Sequence, residues 1–193
     1  PDADHIGGLP ALLRTYDVDQ VLTTGAESDT ETSDLFQKAT LTRTGEPPTK
    51  IFRGTEITFP KGGKLSVEYP LTPLSGESDS DTNQGSIVTR FVYGETSFLL
   101  TGDLAREELV LPSEAPVTIL KVAHHGSKHS TSEAFLRLVK PKEAVISVGV
   151  NSYGHPDQGV LARLSAIGAR IHRTDEMGDI RYRCSENRCV FVP

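Results

Sequence analysis

Val117-Thr-Ile-Leu-Lys-Val-Ala-His-His-Gly-Ser127 runs from a strand-forming stretch into two imidazoles and a glycine. Residues 117–122 have the short, β-branched apolar pattern of a buried strand, so the polar cluster begins where the strand must end. Neighbouring side chains on an extended chain point to opposite faces. If that geometry continues, one of His124 and His125 faces a shared site as a ligand, while the other supports it or meets a substrate. A pair of solvated loop histidines is the plainer alternative. Ser127 lacks the Gly-x-Ser-x-Gly context of a nucleophile elbow, so the chemistry here belongs to the imidazoles.

The pattern repeats on both sides of this stretch. Downstream, 132–139 reads as a helix and 144–148 as a strand that opens into Gly149-Val-Asn-Ser-Tyr-Gly-His155-Pro156. Pro156 suits the first turn of a further helix, whose apolar positions Val160, Leu161 and Leu164 continue to Ile167. Upstream, 86–93 and 96–101 flank Gly94-Glu95 as a hairpin that ends at Gly102-Asp103, with a short helix over 104–109 behind it. An aspartate after a strand is commonly a turn former; a shared site is the alternative. Residues 76–83 are acidic and without periodicity, hence a loop. Over 50–71, the runs 50–53, 56–59 and 65–69 read as an antiparallel meander. Before it come a helix over 32–39, a strand over 20–24 and an amphipathic helix over 6–16 with Pro10 in its first turn. Strands predominate in the first half and alternate with helices in the second, without internal repeat or linker, giving one domain over 1–193.

Asp2, Asp4 and His5 stand together ahead of Gly7-Gly8, where a loop is expected to enter the first helix. Carboxylate oxygen with imidazole nitrogen suits zinc, manganese or iron; a helix N-cap by Asp4 is the competing reading. Four polar junctions thus hold Asp2, Asp4, His5, Asp103, His124, His125 and His155, including four of the six histidines, each within two residues of a glycine. His129 and His172 lack such a setting and read as surface residues.

Composition narrows the classes. At 36% hydrophobic and 24% charged, the chain suits a loop-rich globular protein. No apolar run approaches the roughly 18–20 residues of a membrane-spanning helix. A formal charge of −6 offers a polyanion no overall attraction, so contact with nucleic acid must come from a local basic surface or from metal ions. Cys184 and Cys189, the only cysteines, are compatible with a hairpin disulfide in an oxidising compartment and equally with two reduced thiols. They exclude a thiolate zinc finger. The chain opens without Met or a leader, which reads as a cut fragment.

Asp2-Ala-Asp-His-Ile-Gly-Gly-Leu9, Asn83 with Ser86-Ile-Val, Phe98-Leu-Leu-Thr-Gly-Asp103, Leu120-Lys-Val-Ala-His-His-Gly-Ser127 and Asn151-Ser-Tyr-Gly-His-Pro156 resemble, in order, the motifs of metallo-β-lactamase-fold domains of the ComEC type, from DNA-uptake proteins. The resemblance spans nearly the whole chain. It implies an α/β (α+β) fold, an αββα sandwich of two mixed sheets flanked by helices, with one or two divalent ions, zinc or manganese, at its rim. It also implies that the first strands, and a His two residues before Asp2, fall ahead of Pro1. On this resemblance Asp2, Asp4, His5, Asp103, His124 and His155 hold metal, with Asp103 bridging two ions. Asp4, Asp103, His124 and His125 carry catalysis, and Asn83, Ser127 and Asn151 meet the substrate. Many relatives outside that type carry His where Asn83 stands. The implied reaction is phosphodiester hydrolysis of single-stranded DNA; a small-phosphoester hydrolase of the phosphorylcholine type and a non-catalytic module of a DNA channel are the alternatives. The implied place is the extracytoplasmic face of a bacterial membrane, joined to membrane segments outside this chain, with a cytoplasmic domain as the alternative.

Overall fold

The computed structural model describes residues 2–75, 82–105, 107–109, 116–185 and 187–193. Helix α1 (Ala3–Ile6) is a single turn, and α2 (Leu9–Thr15) follows with Pro10 in its first turn, where a missing N–H leaves no hydrogen bond unmade. The acidic cluster was expected in a loop entering a helix; it forms the first turn itself, with the amides of His5 and Ile6 donating to the Asp2 carbonyl at 3.0 Å each. Asp4 therefore lies within the turn, and no side chain caps it. Next come β1 (Leu22–Thr23), α3 (Glu31–Thr44) and β2 (Thr49–Lys50). Helix α3 starts at the Thr30 hydroxyl, which accepts the Ser33 amide, and stops at Gly45, whose φ of 77° suits glycine. The 50–53 run was expected in the antiparallel meander. Instead Thr49 and Lys50 pair in parallel with Leu22 and Thr23, since their edge groups are satisfied there.

The main sheet has seven strands in sequential order, β3 (Glu56–Thr58), β4 (Lys64–Tyr69), β5 (Val88–Tyr93), β6 (Thr96–Leu100), β7 (Ile119–Lys121), β8 (Glu143–Ile146) and β9 (Arg170–Arg173). Strands β3 to β6 are antiparallel neighbours, with the 88–100 hairpin turning at Gly94-Glu95 as the sequence indicates. Strands β6 to β9 are parallel, which requires crossovers. Helix α4 (Glu133–Val139) crosses between β7 and β8, and α5 (Gln158–Ala166) between β8 and β9. The large mixed sheet with helical crossovers is the expected α/β class. Pro156 was expected inside the α5 turn but lies one residue ahead of its N-cap Asp157, whose carboxylate accepts the Gly159 amide. Of the loop expected at 76–83, residues 76–81 lie outside the described residues and Thr82–Gly85 form a 3-10 turn. Of the helix expected at 104–109, Arg106 lies outside them and Glu107–Leu109 are a 3-10 turn.

The core fills the parallel half. Leu99, Leu120 and Ala144 stand side by side across β6, β7 and β8 and are fully buried. Helix α4 adds Phe135, Leu136 and Val139, and α5 adds Val160 and Leu164. Each such burial contributes about 1.5–3 kcal/mol for the large apolar side chains, so this half is the rigid platform. After β9 the chain makes α6 (Thr174–Met177) and a hairpin of β10 (Arg181–Ser185) and β11 (Arg188–Val192), bridged by a Cys184–Cys189 disulfide between directly paired residues. The hairpin lies against the main sheet: the Cys189 amide donates to the Thr96 hydroxyl, and the Tyr182 hydroxyl to Glu143. His172, expected at the surface, is only 4% exposed. It stacks on Phe191 and meets the Glu143 carboxylate at 3.0 Å, because the hairpin covers it.

Glu107 is the charged residue sunk deepest in this half, at 1% exposure. Its carboxylate accepts the Thr131 amide at 2.9 and 3.2 Å. Arg163 donates to the carbonyls of Thr131 and Ser130, and the Ser130 hydroxyl donates to the Ala123 carbonyl. These bonds tie the loop after His124-His125 to the core. Burial pushes the Glu107 carboxyl up to about 7, against the opposing pull of its own and the Thr131 backbone amide. Folding thus raises its affinity for a proton, so its contribution to stability is complete below about pH 4.5 and is lost as pH rises to about 7. Glu107→Gln, which keeps an acceptor for Thr131, is expected to flatten the fall in unfolding free energy between about pH 5 and 7 by about 2 kcal/mol. Urea titrations at both pH values check this; equal falls in the two proteins would refute it.

Candidate metal centre

The parallel strands β6, β7 and β8 end at one edge of the sheet, and their exits are bonded to one another. The Thr101 hydroxyl donates to the Lys121 carbonyl at 2.7 Å, the His124 amide to the Gly102 carbonyl at 3.1 Å, and the Val122 amide to the Val145 carbonyl at 2.8 Å. Asp103 follows β6, the histidine pair follows β7, and 149–155 follows β8. The first helical turn meets them there: His5 Nε2 lies 3.0 Å from Asp103 Oδ2.

The extended backbone does not continue through His124-His125. Both adopt left-handed conformations, with φ of 49° and 53°, at a cost of about 1–3 kcal/mol each for residues with a Cβ. Gly126 follows at φ 82°, so close to Pro156 that an added Cβ would lie 2.7 Å from the proline Cβ. This turn brings both imidazoles to the same carboxylate: His125 Nε2 is 3.4 Å and His124 Nε2 4.0 Å from Asp103 Oδ2. His125 Nδ1 meets the Ser147 carbonyl at 2.7 Å. A proton held there leaves Nε2 its lone pair, the arrangement of a metal-binding imidazole.

Asp4, His5, Asp103 and His125 each offer one ligand atom, and these atoms all lie within 4.8 Å of one another. Among the described residues Asp103 Oδ1 and His125 Nε2 are buried polar atoms without a hydrogen-bond partner, an arrangement that is costly without a further partner. Oxygen and nitrogen donors in this number suit a divalent metal ion. Burial alone would push the Asp103 carboxyl up, but the imidazoles of His125 and His5 outweigh it and hold the carboxyl well below the usual range. The same contact with Asp103 raises His125, against burial. Asp103 is therefore an anion ready for a cation.

The other candidate residues occupy varied places. Asp2 turns its carboxylate to the Thr82 hydroxyl, which donates to it at 2.8 Å, and stands outside the group of four. His155 packs edge-on against His124 at 5.7 Å, one ring further out. Burial and the neighbouring His124 and His125 lower its pKa. Asn83 lines a cavity of about 290 Å³ beside His5 and Asp103, with Leu9 and Phe36 on its apolar side. Ser127 is buried, 3% exposed, and its hydroxyl accepts the His129 amide. Asn151 spends its side chain on its own loop, donating to the carbonyls of Gly149 and His155 and accepting the amides of Tyr153 and His155. Sequence reasoning passed over two contributors. The Ser147 carbonyl carries no side-chain signal, and Glu107 looks like a solvent-facing member of the pair Glu107-Glu108.

The sequence profile of the metallo-β-lactamase superfamily matches residues 1–150. The chain is 36% identical over 188 residues to ComE operon protein 3 of Bacillus subtilis (strain 168), covering 94% of this chain and 23% of that protein. It is 36% identical over 122 residues to competence protein ComA of Neisseria gonorrhoeae, covering 60% of this chain and 18% of that protein. It is 28% identical over 190 residues to recombination protein 2 of Haemophilus influenzae (strain ATCC 51907 / DSM 11121 / KW20 / Rd), covering 97% and 22%. The chain thus spans about a quarter or less of the length of these relatives. No helix among its described residues is long and apolar enough to cross a membrane. With a histidine–aspartate cluster at the ends of its parallel strands, this chain belongs to the metallo-β-lactamase superfamily and is a domain of the ComEC type.

Proposed function

We propose that this domain is a metal-dependent phosphodiesterase acting on single-stranded DNA. The observation that carries the reading is the convergence of Asp4, His5, Asp103 and His125 within 4.8 Å, in a cluster where Asp103 Oδ1 and His125 Nε2 are buried without a hydrogen bond. Those four residues would hold a divalent ion, zinc or manganese, with His124 and His155 completing the ligand set or meeting the substrate. Asp2 is more remote, through its bond to Thr82. When bound, the ion lowers the pKa of coordinated water and stabilises charge developing on the phosphoryl group. The chain's own residues orient and hold. The Ser147 carbonyl fixes the His125 ring, the Gly102 carbonyl fixes the backbone of His124, and His124 Nε2 beside Asp103 offers a contact to a phosphoryl oxygen. Asn83 borders the adjoining cavity, while Ser127 and Asn151 act on the substrate through the loops they hold together.

DNA is the substrate favoured by the competence and recombination names of the relatives. The net charge of −6 favours a second reading, a small phosphoester. The hairpin disulfide supports an oxidising compartment, hence the extracytoplasmic face of a membrane-embedded parent.

With added manganese or zinc the domain is expected to cleave bis-p-nitrophenyl phosphate, and chelation to abolish the activity. Asp103→Ala is expected to lower kcat/KM by at least about a hundredfold, since it removes the shared carboxylate; undiminished turnover by this variant would exclude the mechanism. Single-stranded DNA should be turned over with a higher kcat/KM than phosphorylcholine-type esters, and the reverse preference would establish the second reading. Gly126→Ala touches no ligand atom yet forces a clash with Pro156. It is expected to weaken metal binding, measured by calorimetric titration, by about tenfold or more.

A further inference from the structure

The loop between β8 and α5 leaves two apolar side chains in water beside the metal centre. Val150 is 107% exposed and Tyr153 82%. Isolated exposed apolar groups are ordinary, but the backbone that carries this aromatic ring is fixed. The Asn151 side chain makes four hydrogen bonds of 2.8–3.1 Å across it, to the backbone of Gly149, Tyr153 and His155. The Tyr153 ring then lies on His155, with centroids 5.9 Å apart and planes within 24° of parallel. His155 packs on His124, and His124 Nε2 is 4.0 Å from Asp103. Among the described residues the Tyr153 hydroxyl makes no hydrogen bond, so no internal bond accounts for the placement. The Tyr153 ring therefore lies against an imidazole and leaves most of its surface open to solvent. Aromatic rings of this kind, next to a groove that takes a nucleic-acid backbone, serve as stacking surfaces for bases and tolerate any sequence. Stacking adds affinity without charge, which suits a chain that is acidic overall.

We propose that Tyr153 is the stacking platform for a nucleobase of a single-stranded polynucleotide, beside the phosphate that lies over Asp103 and His124. The proposal rests on the phosphodiesterase reading and names the feature of the substrate that the site recognises. A small phosphoester without a planar group has nothing to place on the ring.

Cleavage of oligothymidylate and of an abasic oligomer of equal length by the manganese-loaded domain tests it. For oligothymidylate, Tyr153→Ala is expected to raise KM about tenfold with kcat within about twofold, while Tyr153→Phe keeps the wild-type KM. For the abasic oligomer, Tyr153→Ala and wild type are expected to share one KM. An equal rise on both oligomers, or no rise on oligothymidylate, overturns the proposal. If the wild type cleaves neither, the phosphodiesterase reading fails on its own. Fluorescence anisotropy of labelled oligothymidylate and abasic oligomer, which needs no turnover, then decides the stacking question. A preference for the base-bearing oligomer that disappears in Tyr153→Ala supports the platform; absence of that preference, or its survival in the variant, overturns it.

Discussion

Parallel pairing of β6, β7 and β8 is the constraint on which the site depends. Parallel strands leave the sheet in one direction, so the segments that follow them emerge side by side. Asp103, His124-His125 and the loop to His155 share an edge for that reason and no other. The pairing is held by a buried row, Leu99, Leu120 and Ala144, so the apolar core and the polar cluster above it are two ends of the same strands. Any slip of one residue along this row would exchange the faces of every side chain on the slipped strand.

The histidine turn shows how locally unfavourable backbone is sustained. Two successive non-glycine residues in the left-handed region persist because the surroundings leave them no alternative. The Ser127 amide donates to the His124 carbonyl, the Ser130 hydroxyl to the Ala123 carbonyl, and Thr131 is fastened to Glu107. Rigid core residues thus determine imidazole positions several residues away. Such strain belongs where geometry must be exact for a ligand, and the two orphaned atoms on Asp103 and His125 lie at that spot.

Legibility in the sequence followed the range of the forces involved. The 88–100 hairpin was readable because Gly94-Glu95 sits between two β-branched runs, and the parallel half because strands and helices alternate there with local capping signals such as Ser132. Helix α3 extends to Thr44, beyond the expected 39, with the Thr42 and Thr44 hydroxyls donating back to the carbonyls of Lys38 and Thr40; threonine-rich sequence reads as non-helical on propensity alone. Partners distant in the chain were not readable. The start of the 50–53 run paired with β1 instead of the meander, and His172 became buried through Glu143 and Phe191. For the site, motif order pointed to the junctions. Which atoms converge is fixed by the left-handed turn at His124-His125, a backbone property that spacing does not encode.

The outermost strands of the main sheet are short and carry charged side chains. Strand β3 has three residues including Glu56, and β9 has four with Arg170 and Arg173 at its ends. A neighbouring chain seeking to extend the ladder would find few free amides and would have to bury those charges, which disfavours edge-to-edge polymerisation. The geometry that gathers the candidate metal-binding loops at one rim therefore does so without turning the sheet itself into a template for aggregation.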